Sequence, residues 1–134
     1  MGSTRKIRVL LAKIGLDVHD IALRQLARVL RDAGMEVVYL GIHQSPETIV
    51  TAAIQEGVDV IGLSFHCGTH LPALAETMNL LNMRNVSGIS VVCGGVIPAQ
   101  DRPILEQLNA KGIFGPGTPV EEIIQHIENL VQKG

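Results

Sequence analysis

Aromatic side chains are almost missing from this chain: its 134 residues contain no Trp, one Tyr and two Phe. The core therefore has to be built from Val, Ile, Leu and Ala, within a hydrophobic fraction of 46%. That is the make-up of parallel strands covered by helices on both faces. Basic residues are also few. The formal net charge is −2, and no cluster of Lys and Arg is denser than Arg5, Lys6 and Arg8, so there is no field to attract nucleic acid. No apolar run reaches the ~18 residues of a membrane span, and no signal peptide precedes the first apolar run, which argues against membrane and export. The only cysteines, Cys67 and Cys93, sit among apolar or small neighbours. They read as buried thiols in a reducing cytoplasm and not as a disulfide framework. Neither a Gly-x-Gly-x-x-Gly fingerprint nor a P-loop lysine is present, which leaves dinucleotide and nucleotide binding without support.

What is present is a strict alternation of strand-like and helix-like segments. Residues 6–13 form an apolar run of strand length, and residues 21–32 repeat Leu23, Leu26, Ala27 and Leu30 at helical spacing, ended by Gly34. Residues 35–40 predict a second strand. Ser45 then suits a helix cap, with Pro46 at the first helical position. A third strand over 58–63 precedes a helix over 71–83, and a fourth over 90–93 precedes a helix over 98–108 whose first turns Pro103 limits. A short strand over 112–114 leads to Thr118 and Pro119, which predict the cap and start of a last helix reaching Val131. The expectation is one α/β domain over residues 1–134, with residues 1–5 a flexible or cloning-derived start. Its sheet is a flavodoxin-like (Rossmann-type) five-stranded parallel sheet in the order 2-1-3-4-5, with helices on both faces.

Such sheets bind ligands beyond the carboxyl ends of their strands, beside the point where strand order reverses. The loops concerned are 15–22, 64–70, 94–98 and 115–118, which hold most of the Gly, His and Ser residues without an evident packing role. In the first, Asp17 precedes His19 by two residues. A carboxylate accepting the Nδ1 proton leaves Nε2 free as a metal ligand or base. The plainer alternative is a helix N-terminus, with Asp17 or Asp20 as an anionic cap and His19 exposed. In the second loop Ser64 can donate or accept, and Gly68 permits an unusual turn; an ordinary loop capped by Thr69 is the alternative. His66 and His70 lack the cysteines or carboxylates that a structural zinc site would need. Gly94 and Gly95 remove two side chains where a ligand would approach, as do Gly115 and Gly117 just before a helix N-terminus able to receive a phosphate. His43 and His126 are expected at the surface, without function.

Taken together, these loops resemble a specific family. The stretch Ala12-Lys13-Ile14-Gly15-Leu16-Asp17-Val18-His19-Asp20 is similar to the opening of the cobalamin-binding domain of the methylmalonyl-CoA mutase family. That opening carries Asp-x-His-x-x-Gly, followed by Ser-x-Leu and a Gly-Gly pair. Cys93-Gly94-Gly95-Val96-Ile97-Pro98 and Ile113-Phe114-Gly115-Pro116-Gly117-Thr118-Pro119 resemble the later elements, in the same order. The resemblance implies a small subunit of an acyl-CoA mutase, such as the 2-hydroxyisobutyryl-CoA enzyme, that holds adenosylcobalamin. The dimethylbenzimidazole tail would be detached from cobalt and buried between sheet and helices. His19 would be the lower cobalt ligand, with Asp17 on its other nitrogen. Ser64 would contact the benzimidazole, Gly94 and Gly95 would leave room for the tail, and residues 115–118 would lie by its far end. The resemblance also places Asp20, Ile21 and Ala22 around the cofactor, together with His66, Gly68, Val96 and Phe114.

The cofactor would supply the radical, and the protein placement and exclusion of solvent. The acyl-CoA would sit in a barrel domain of typically ~250 residues, for which this chain has no room. A large partner subunit is therefore implied, and the isolated chain is expected to be inactive. Ala22 stands where the pattern has Gly, and His66 where it has Leu. Two other readings share these residues: a corrinoid methyl-transfer protein, or a flavodoxin-like module that no longer binds cobalamin. The first generally carries a helical domain ahead of the cobalamin domain, for which a strand starting by Lys6 leaves no space.

Overall fold

The apolar runs do become strands, and all of them pair in parallel. The structure is a computed structural model that describes residues 6–14, 21–65, 70–86, 88–95, 97–115 and 117–133. Strands β1 (Arg8–Ile14), β2 (Glu36–Gln44), β3 (Val60–Phe65), β4 (Ser90–Gly95) and β5 (Gly112–Phe114) alternate with helices α1 (Ile21–Asp32), α2 (Pro46–Glu56), α3 (His70–Met83), α4 (Arg102–Gln107) and α5 (Val120–Lys133). The sheet order is β2-β1-β3-β4-β5, the flavodoxin-like order expected from the alternation. Among the described residues, no helix is long and apolar enough to cross a membrane.

The punctuation residues act as their chemistry dictates. Ser45 caps α2, its Oγ accepting from the Thr48 N–H, with Pro46 opening the helix. Gly57 ends α2 in the left-handed region at φ 65°, which costs a glycine little. Pro103 falls in the first turn of α4, and a short 3-10 turn over Ala99–Asp101 precedes it. The expected cap at Thr118 is different. Its Oγ1 donates to the Gly115 carbonyl at 2.8 Å, closing the turn after β5, while the Pro119 carbonyl accepts the first helical N–H groups. A hydroxyl that can reach back to a free carbonyl need not wait for the helix behind it.

Side chains alternate across each strand and sort into two cores. Leu10, Ala12, Ile61, Leu63, Phe65, Val91 and Cys93 pack under α2, α3 and α4, against Ile49, Val50, Leu74, Leu81 and Leu105. Val9, Leu11, Val60 and Val92 face the other way, against Leu23, Ala27 and Leu30 of α1 and Ile127 of α5. At the amino end of the sheet Arg8 ties three elements together. Its N–H donates to the Asp59 carboxylate at 2.9 Å, and its guanidinium to Glu36 and to the Glu56 carbonyl.

β2 runs four residues past the expected end at Leu40, to Gln44. It does so by losing register: Leu11 pairs with Tyr39 but Ala12 with Gly41, and Ile14 with Gln44. The extra residue of this bulge is Leu40, and Gly41 beside it takes φ +89° and pairs with Ala12, so the strand continues. The irregularity lies beside the carboxyl end of β1, where the strand order reverses.

Candidate functional site

The carboxyl ends of β1, β3, β4 and β5 bring four residues into one row. Lys13 pairs with Ser64, Ser64 with Gly94, and Gly94 with Phe114. Period-two alternation from Leu11, Val60 and Val92 puts all four on the face covered by α1 and α5. One rung closer to the amino end, the same face carries Leu11, Gly62, Val92 and Gly112. Three of these eight positions are glycine and one is serine. The result is a trough poor in side chains over β3 and β4, at the carboxyl ends of the strands.

The glycines of this region do different jobs. Among the described residues, a Cβ on Gly94 would meet only the Phe114 carbonyl oxygen, at an ordinary 3.6 Å. On Gly62 it would come within 2.7 Å of Leu11 Cδ2, and on Gly112 within 2.7 Å of His126 Nε2, so neighbouring side chains lie across those two. Gly95 has a purely internal reason. It sits at φ +116°, and a Cβ there would collide with the Phe65 backbone. The Gly-Gly pair thus divides its work: Gly94 opens the trough, and Gly95 lets β4 pass close to β3.

Sequence reasoning missed Lys13. It is 6% exposed, and its ammonium donates to Ser64 Oγ at 3.2 Å. A charged terminal residue of a strand reads as a solvated end; only the pairing with β3 reveals that it is buried. The bond fixes the Ser64 hydroxyl as an acceptor toward Lys13, leaving its own hydrogen to aim elsewhere.

His126, expected at the surface, is half-buried instead. Its Nε2 lies 2.6 Å from the Lys111 carbonyl, and its ring meets Phe114 edge to face, centroids 5.3 Å apart and planes at 83°. It also lines a shallow cavity of about 240 Å³ at the β5 edge with Arg102, Glu106 and Lys111. Arg102 donates to the Ile113 carbonyl at 3.1 Å. Cys93 is buried as expected, and burial pushes its thiol up to about 12; it faces the opposite core.

Ser64, Gly94, Phe114 and Gly115 come together at one edge, with Gly117 and Thr118 in the turn that follows β5. Asp17, His19, Asp20, His66, Gly68 and Val96 lie outside the described residues, as do the side chains of Ile21 and Ala22. The segment carrying Asp17 and His19 joins the carboxyl end of β1 to α1.

Residues 7–124 match the family model described as the B12 binding domain. The chain is 44% identical over 125 residues to the 2-hydroxyisobutanoyl-CoA mutase small subunit of Aquincola tertiaricarbonis, covering 93% of this chain and 92% of that protein. It is 41% identical over 130 residues to the pivalyl-CoA mutase small subunit of Xanthobacter autotrophicus, covering 97% and 87%. Among solved structures, a cobalamin-binding protein from Desulfitobacterium hafniense superposes with a TM-score of 0.79 at 23% identity, over 95% of this chain and 60% of that one. At that identity the superposition speaks for the fold.

Proposed function

The chain belongs to the B12-binding domain family, beside the small subunits of acyl-CoA mutases, and from that premise we propose that residues 1–134 are one domain that holds adenosylcobalamin for a large, substrate-binding partner subunit. The observation that carries this reading is the row Ser64–Gly94–Phe114: a trough over β3, β4 and β5 beside the switch point between β1 and β3, where Gly94 has no side chain. A planar heterocycle such as a benzimidazole fits between a sheet and two helices only where side chains are missing, and this is where they are missing.

In this reading the nucleotide tail enters the trough. Ser64, held by Lys13, offers its hydroxyl hydrogen to a ring nitrogen, and Gly94 gives the ring room. Phe114 borders the outer side, and the Gly115–Thr118 turn, closed by the Thr118 hydroxyl, borders the far end. His19 would be the cobalt ligand, oriented by Asp17. Asp20, Ile21, Ala22, His66, Gly68 and Val96 complete the surroundings from the adjoining loops. The bound cofactor supplies the radical chemistry of carbon-skeleton rearrangement. The chain would place it, keep water from it and present it to the acyl-CoA on the partner. By itself it turns over no substrate, and it works in the cytoplasm.

Titration of the purified chain with cobalamin, followed by absorbance and by electron paramagnetic resonance of the Co(II) form, tests this. A histidine-nitrogen splitting that disappears in His19→Ala is the expected result. Absence of binding, even with a mutase large subunit added, overturns the assignment.

A further inference from the structure

Helix α5 carries its apolar residues at Val120, Ile123, Ile124, Ile127, Leu130 and Val131, and His126 stands at the rim of that stripe. The ring is more tightly held than a rim residue needs to be. A carbonyl only accepts hydrogen bonds, so at 2.6 Å from the Lys111 oxygen Nε2 must carry the hydrogen. The ring lies where Gly112 lacks a side chain, and the position of a Cβ there is 3.0 Å from Cδ2 of His126 and 3.2 Å from Cζ of Phe114. Gly112, His126 and Phe114 thus meet at one point, and any side chain at Gly112 would part them. Phe114 in turn pairs with Gly94, and among the described residues its carbonyl oxygen is the nearest atom to a Cβ on that glycine.

We propose that His126 is a positioning residue that sets Phe114 as the outer wall of the trough and so makes the chain select corrinoids that carry a nucleotide tail. This rests on the reading that the tail enters the trough. β5 is only three residues long, so its ladder gives the wall little stiffness. The bond from α5 to Lys111 fixes the strand's start, and the edge-to-face contact fixes the ring at its end. A ring so held presents one flat boundary to a heterocycle, and a ring released from His126 does not.

The test compares two ligands on the full chain: cobalamin, and cobinamide, which has the corrin ring but no nucleotide. His126→Ala is expected to weaken cobalamin binding roughly three- to tenfold, the worth of an aromatic pair, and to leave cobinamide binding unchanged. Phe114→Ala is expected to match it, and the double variant to lose no more than either single one, because one residue acts through the other. His126→Phe keeps the ring contact and is expected to restore most of the loss; His126→Gln keeps the donor alone and is not. Equal weakening toward both ligands, or additive losses in the double variant, would show a merely structural residue and overturn the inference. If the unaltered chain binds cobinamide as tightly as cobalamin, the inference fails while cobalamin binding stands. If it binds neither, the functional reading fails first and takes the inference with it.

Discussion

Ala12, Leu63, Cys93 and Ile113 run side by side across four strands under α2, α3 and α4; one residue further along, Lys13, Ser64, Gly94 and Phe114 run across the same strands on the opposite face. The first row is closed and apolar, and the second is sparse and polar at its centre. Both rows use the same backbone hydrogen bonds. The sheet thus closes one face and leaves the other sparse at no cost in ladder geometry. The period of two keeps them apart, since neighbouring residues never share a face. Substitutions on the two faces should therefore report on different quantities.

The largest expected effect belongs to the closed face. Leu74→Ala, at a fully buried position, should lower the unfolding free energy by about 2–5 kcal/mol in denaturant titration. Cobalamin affinity of the protein that remains folded should be unchanged. A matching loss of affinity would mean that the faces are coupled. On the sparse face, Gly94→Val should do the reverse. Among the described residues its added Cβ meets nothing closer than 3.6 Å, so the melting temperature should hardly move. Affinity should fall on the order of 10- to 100-fold, about 1.4–2.8 kcal/mol. Gly95→Ala next door should instead destabilise the fold, because its φ of +116° and the Phe65 backbone leave no place for a methyl group. If both glycine variants melt alike, the division of labour between them is wrong.

Cys93 gives a third comparison. Its folded pKa of about 12 lies above the ordinary value of 9.0 for a thiol. Between these values the unfolded state loses a proton that the folded state keeps, so stability is full below pH 9.0 and falls as pH rises toward 12. The slope should be about 1.4 kcal/mol per pH unit. Unfolding curves of the unaltered chain and Cys93→Ala, compared from neutral to alkaline pH, should converge by that amount. Parallel curves would place the thiol in contact with solvent. The smallest effect is expected at the sheet's edge: Arg102→Ala removes one exposed hydrogen bond to Ile113 and should cost about 0.5–1 kcal/mol.

The fold was legible because its signals are local. Ser45-Pro46, Gly34 and the runs of Val and Ile act within a few residues of themselves, and the alternation of elements leaves little freedom in topology. The edge where Ser64 and Gly94 lie side by side followed from that topology. What the sequence hid depends on long-range register. Lys13 is buried only because β3 brings Ser64 beside it, and His126 is held only because β5 lacks a Cβ at Gly112. The second strand reads as ending at Leu40, yet a bulge lets β2 continue to Gln44. The two adjacent glycines are chemically identical in sequence and acquire different roles from what stands across from each.

The shortness of β5 bears on how the molecule breathes. A ladder of three pairs, next to an outer edge that no further strand covers, is the least expensive part of the sheet to open. Sub-global fluctuations begin where such ladders are short. Amide hydrogens of β5 should thus exchange earlier than those of β1 and β3, through openings that leave the central strands intact. A heterocycle held against Phe114 would then lose its outer boundary each time the last strand parts, and its residence time would follow the rate of that opening more than the strength of any single contact.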